Sequence, residues 1–134
     1  MRWKSLLLLL IAFPACGREE EQERDFLVRV GEERFVVRIA DPAQIALARE
    51  ILAGRRSPMI VTGELRPGDG GFNRDPIAGR RWSWHLDPRS VTFAEVTIEL
   101  CDGRPSFVEE NLSYWLYTVR RFCPWNSILE RELP

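Results

Sequence analysis

The chain has 134 residues, 45% hydrophobic and 29% charged, with 19 basic against 20 acidic side chains and a formal net charge of −1. That length holds one globular domain plus a short targeting segment, and the near-neutral balance gives no electrostatic case for binding nucleic acid. Lys4 is the only lysine and His85 the only histidine, which excludes a GxxxxGK phosphate loop, a Schiff-base lysine, an HExxH motif and any multi-histidine zinc site, so neither cofactor nor metal is expected.

Met1 to Ala15 sets Arg2 and Lys4 before an apolar run, Leu6 to Phe13, and ends on the small Ala15 directly before Cys16. This is the order of a secretory signal, and the apolar run falls far short of the roughly 20 residues that span a bilayer. The arrangement resembles the lipobox of bacterial lipoproteins, in which the cysteine is acylated and becomes the new N-terminus, although Phe13 stands where leucine is usual. The expectation is an exported protein held on a bacterial membrane by lipid on Cys16, periplasmic or at the cell surface. Ordinary secretion with a nearby cleavage is the alternative. Residues 16–25 then form a polar, acidic tether, and residues 26–134 a single domain.

Three cysteines in an exported chain leave one over unless it has another task. With Cys16 lipidated, Cys101 and Cys123 remain as a pair for a disulfide, the alternative being two buried thiols.

Within the domain, Phe26 to Val30 and Arg34 to Ile39 alternate around Gly31-Glu32-Glu33, a hairpin signal. A helix follows, with Asp41 as N-cap, Pro42 in its first turn, Gln44 closing a capping box and Gly54 at its end; Ile45, Ala48, Ile51 and Leu52 form its apolar arc. Met59 to Arg66 reads as a strand in which Gly63 marks a bulge or a close backbone approach. Arg66 to Arg81 is glycine-rich and reads as a long exposed loop, either a tolerated insertion or a functional segment. Trp82 to Leu86 is expected to pair with Val91 to Cys101 across the turn Asp87-Pro88-Arg89-Ser90, making Val91 to Cys101 the central strand. In the simplest register Trp82, Trp84 and the carboxylates of Glu95 and Glu99 share one face, and Ala94, Val96, Ile98 and Leu100 the core face. Pro105 to Tyr117 reads as a second helix, and Asn126 to Pro134 can add a short strand. The fold class is α+β, a small mostly antiparallel sheet of about five strands with two helices packed against it.

As an ordered set, several residues resemble the N-terminal domain of the BP-seventy-four proteins, an exported group whose name-giving member is described as calmodulin-binding. The set runs from Asp41-Pro42, Ala48-Arg49, Gly54, Gly63 and Asn73 through Trp82-Ser83-Trp84-His85, Asp87-Pro88 and Glu99-Leu100-Cys101-Asp102 to Val108-Glu109 and Cys123-Pro124-Trp125. The resemblance implies a small exported α+β domain with a structural disulfide and implies no reaction. A calmodulin partner does not carry over, because the chain has no basic amphipathic helix.

For chemistry, Ser83, His85 and Asp87 alternate along one strand face, but residues two apart stand nearly 7 Å apart and point in parallel, beyond the reach a catalytic triad requires. Two readings of the domain follow. One is a non-catalytic binding or interaction module for an unknown protein or small molecule, with Trp82, Trp84, His85, Glu95 and Glu99 as ligand-binding candidates and no catalytic residue. The other is a small carboxylate-dependent hydrolase using Glu99 or Glu95 with His85.

Overall fold

The computed structural model describes residues 22–134. The signal segment, Cys16 and most of the acidic tether lie outside the described residues. The strand that opens the domain begins earlier than the sequence suggests. Strand β1, Arg24–Val30, takes in Arg24 and Asp25, because Asp25 pairs with Arg38 across the hairpin through two hydrogen bonds of 2.7 and 3.0 Å.

Strands β1 and β2 (Glu33–Ile39) form the expected antiparallel hairpin, with Phe26 opposite Val37 and Val28 opposite Phe35. Gly31 turns it with φ of +63°, a conformation glycine adopts without the Cβ penalty. Helix α1, Pro42–Leu52, is capped by Asp41, whose carboxylate accepts from Ala43 N at 2.9 Å. The expected capping box does not form. Asp41 reaches the second helical residue rather than the third, and Gln44 Oε1 is buried without a partner.

Strand β3, Ile60–Pro67, is the true centre of the second sheet. It pairs antiparallel with three short strands: β6 (Trp84–Leu86), β7 (Thr92–Ala94) and β8 (Arg121–Phe122). The turn at Asp87–Ser90 exists, closed by Ser90 N donating to Asp87 O at 2.9 Å. It does not make a hairpin, because β6 and β7 pair with β3 and not with each other. A Cβ at Gly63 would meet Leu86 at 3.1 Å and Ser90 Oγ at 3.3 Å, so the close-approach reading of this glycine holds.

The expected long central strand Val91 to Cys101 is corrected here. β7 ends at Ala94, opposite Ile60, where β3 itself begins. Pro58, two residues before β3, has no N–H to extend the ladder, so the pairing cannot continue. The chain then bends and closes with a 3₁₀ turn at Glu99–Cys101. The second expected helix is also broken. Helix α2, Pro105–Glu110, stops at Asn111 (φ −132°, ψ 47°). Leu112–Tyr114 resumes as α3, and Trp115–Val119 follows as a π-helical turn. Trp115 and Val119, at the two ends of that turn, are both buried.

The last strand, β9 (Ser127–Glu132), joins the first sheet in the order β2-β1-β9. The α+β class therefore stands, with the strands divided between two antiparallel sheets and a small ribbon of β4 (Arg74–Asp75) and β5 (Arg80–Arg81). The core between the sheets is aromatic. Trp84 lies 5.5 Å from Phe35, 5.3 Å from Phe122 and 5.9 Å from Trp82, all between ring centroids, spacings at which such pairs add to their burial. A disulfide joins Cys101 to Cys123. Around it Cys123 N donates to Cys101 O at 2.8 Å, and Trp125 N to Asp102 Oδ1 at 2.8 Å.

Residues 66–81 are ordered by their own side chains. Asn73 and Asp75 are both buried. Asn73 Oδ1 accepts from Val36 N at 2.9 Å, Asp75 Oδ2 accepts from Arg34 N at 3.0 Å, and Asn73 Nδ2 donates to Trp84 O at 2.6 Å. Two side chains thus satisfy the edge of β2 in place of another strand. Phe72 packs with Leu27 and Val36 in a second, smaller core on the outer face of that sheet.

Candidate functional site

The structure does not gather the residues that the sequence nominates. Trp82 and Trp84 are 2% and 0% exposed, so their rings are core and offer no platform. Trp82 Nε1 donates to Arg34 O at 2.9 Å. His85 is held by the glycine-rich loop: its Nδ1 lies 2.8 Å from Gly68 O, and its ring packs edge-on to Phe72 at 5.4 Å. Against a carbonyl, Nδ1 must carry the proton. Asp69 orders the same loop by accepting from Gly71 N and Arg81, and these bonds hold its carboxyl below the ordinary 3.8.

Glu95 and Glu99 are exposed and lie beyond the end of β7 rather than on a shared sheet face. His85 pairs with Arg66 and Ala94 with Ile60, six residues apart along β3, or about 20 Å at the usual rise. The histidine and Glu95 therefore stand at opposite ends of the sheet. Ser83 is likewise turned elsewhere, with its Oγ donating to Glu109 Oε1 at 2.7 Å and its N–H to Oε2 at 2.9 Å. Among the described residues no three His, Cys, Asp or Glu side chains cluster as metal ligands.

What the misplaced strand leaves behind is an apolar surface. Val96 is 80% exposed, Ile98 67% and Leu100 57%, the residues that alternation assigned to the core. Ile98 and Leu100 line a cleft of about 160 Å³ whose other walls are Thr62, Thr97, Val119 and Arg121, closed beneath by Cys101. Thr97 Oγ1 is buried there with no hydrogen-bond partner. A second cleft of about 170 Å³ shares Arg121 and is lined by Glu64, Arg66 and Arg120. Arg121 bridges the two, donating to Thr62 Oγ1 at 3.2 Å and lying 3.9 Å from Glu64. Arg66 is engaged with Glu64 at 2.9 Å and Asp87 at 3.3 Å.

Arg120 is exposed, and it is the one non-glycine residue with positive φ among the described residues, at 69°. Its backbone N–H closes the π-helical turn on Trp115 O at 2.7 Å, and its carbonyl accepts from Leu65 N at 2.9 Å. These bonds hold a conformation that costs an L-residue about 1–2 kcal/mol. A larger cleft, about 400 Å³, lies between Gly31 and Phe107. Two of its lining side chains are engaged within the fold: Asp102 Oδ1 takes two backbone N–H groups, and Arg104 lies over the Phe107 ring.

None of the arginines, nor Thr97, was a sequence candidate. The available signal was the pair Arg120-Arg121 ending a helix with no glycine after it. Fold and geometry thus define a small disulfide-closed α+β domain with one apolar face bordered by guanidinium groups. The chain belongs to the BP-seventy-four N-terminal domain family, whose model matches residues 22–134. No curated protein and no solved structure matches it.

Proposed function

We propose that the chain is an exported lipoprotein, anchored by lipid on Cys16, that carries a non-catalytic binding domain whose contact face is the segment Val96 to Leu100 with the cleft behind it. The observation that supports this most is the exposure of Val96, Ile98 and Leu100 together, since contiguous exposed apolar side chains on a folded domain mark an interaction surface. The disulfide and the Ile98 carbonyl, which accepts from Trp125 Nε1 at 3.3 Å, brace this segment in place. A braced surface binds without first being ordered.

Two measurements test the proposal on the full chain. Radiolabelled palmitate enters the wild type and not Cys16→Ser; equal labelling, or none, removes the anchor. The apolar fluorophore 8-anilinonaphthalene-1-sulfonate brightens saturably with the wild type and loses most of that gain with the double variant Ile98→Ser, Leu100→Ser. An unchanged gain would show that this face is not the binding surface.

A further inference from the structure

We propose that the cleft pair at the end of the π-helical turn binds an aliphatic carboxylate, its short acyl tail in the apolar cleft and its carboxylate against Arg120 and Arg121. The proposal rests on the reading of this face as a binding surface and adds the ligand's chemistry. Three observations meet here.

The first is shape and lining. A cleft of about 160 Å³ walled by Ile98, Leu100 and Val119 has room for roughly five groups the size of a water molecule, enough for a short alkyl chain. The second is charge. Three guanidinium groups, Arg66, Arg120 and Arg121, line the adjoining cleft against the single carboxylate of Glu64, with Asp87 reaching only Arg66. Arg120 forms no ion pair among the described residues, which leaves its planar fork open for an incoming carboxylate. The third is the backbone. Arg120 has φ of 69°, a conformation that suits glycine, and π-helical turns recur at functional sites. An arginine held there at a cost in strain is explained by what its side chain does.

Octanoate is the probe, titrated into the isotopically labelled full chain while backbone amide shifts are followed. The expected result is saturable movement of the Thr97, Leu100, Val119 and Arg120 amides, with octan-1-ol and acetate each far weaker than octanoate. Arg120→Gly fits the backbone and removes the guanidinium, so it keeps the midpoint of thermal unfolding at or above the wild-type value while weakening octanoate about tenfold, the size of one charge-assisted pair. Glu64→Gln, which removes the competing carboxylate, strengthens it. N-Acetylleucine separates a chain-terminal aliphatic residue from a free acyl chain as the source of the carboxylate. Equal effects of octanol and octanoate, or equal octanoate affinity in Arg120→Gly and wild type, overturn the carboxylate while leaving the apolar binding face standing. No saturable movement at these four amides overturns the site itself.

Discussion

Asn73→Ala is the sharpest test of the claim that residues 66–81 are built into the fold. Asn73 is 1% exposed, accepts from Val36 N at 2.9 Å and donates to Trp84 O at 2.6 Å. Truncation leaves a buried N–H on β2 and a buried carbonyl on β6 without partners. At about 1–3 kcal/mol for each of the two abandoned groups, the expected loss is roughly 2–6 kcal/mol. For a domain near 110 residues, this lowers the unfolding midpoint by about 4 °C or more per kcal/mol. Asn73→Asp is expected to be worse than its similar size suggests, because it sets a carboxylate oxygen against the Trp84 carbonyl. Urea unfolding followed by tryptophan fluorescence measures both. A loss below about 0.5 kcal/mol for Asn73→Ala, with unchanged denaturant slope, would refute the reasoning, since that is the range of an exposed surface change.

Three further outcomes follow from the same geometry. Replacing Cys101 and Cys123 together by alanine opens a loop of 22 residues and costs about 3 kcal/mol, read as a lower urea midpoint than the oxidised wild type. Gly63→Ala pushes a Cβ to within 3.1 Å of Leu86 and destabilises by about 1–3 kcal/mol through overpacking. The carboxyl of Asp69 is depressed by the Gly71 N–H and Arg81, so its contribution to loop stability is present above the unfolded carboxyl value and is lost as pH falls through the lower folded one. The protection of the Gly71 amide, taken relative to its intrinsic exchange rate, therefore falls only below about pH 4, and Asp69→Asn shows no such pH step.

Much of the fold was legible because its signals are local. Alternation about Gly31 gives the first hairpin, Asp41 and Pro42 open the first helix, and Gly63 announces a backbone approached by Leu86. The cysteine count pairs Cys101 with Cys123. Val91 to Cys101 misled for a physical reason. Its alternation is genuine, but a strand needs a partner, and β3 begins only at Ile60, opposite Ala94. Beyond that point the apolar residues of the pattern stand exposed. Trp82 and Trp84 illustrate the complementary limit, because an aromatic strand face reads the same from sequence whether it meets a ligand or Phe35 and Phe122. The roles of Asn73 and Asp75 depend on β2, some forty residues away, and no spacing rule reaches that far. The arginine cleft was hidden likewise, since Arg66 and Arg120 meet only through the pairing of β3 with β8.

The most direct test of the account is a residue-resolved map of amide shifts as 8-anilinonaphthalene-1-sulfonate is added to the full chain. The account predicts saturable shifts confined to residues 96–101 and 119–121, around the exposed Ile98 and Leu100. Shifts centred instead on Gly68 to Phe72 and His85, with the 96–101 amides unmoved, would contradict it and return the binding surface to the glycine-rich loop.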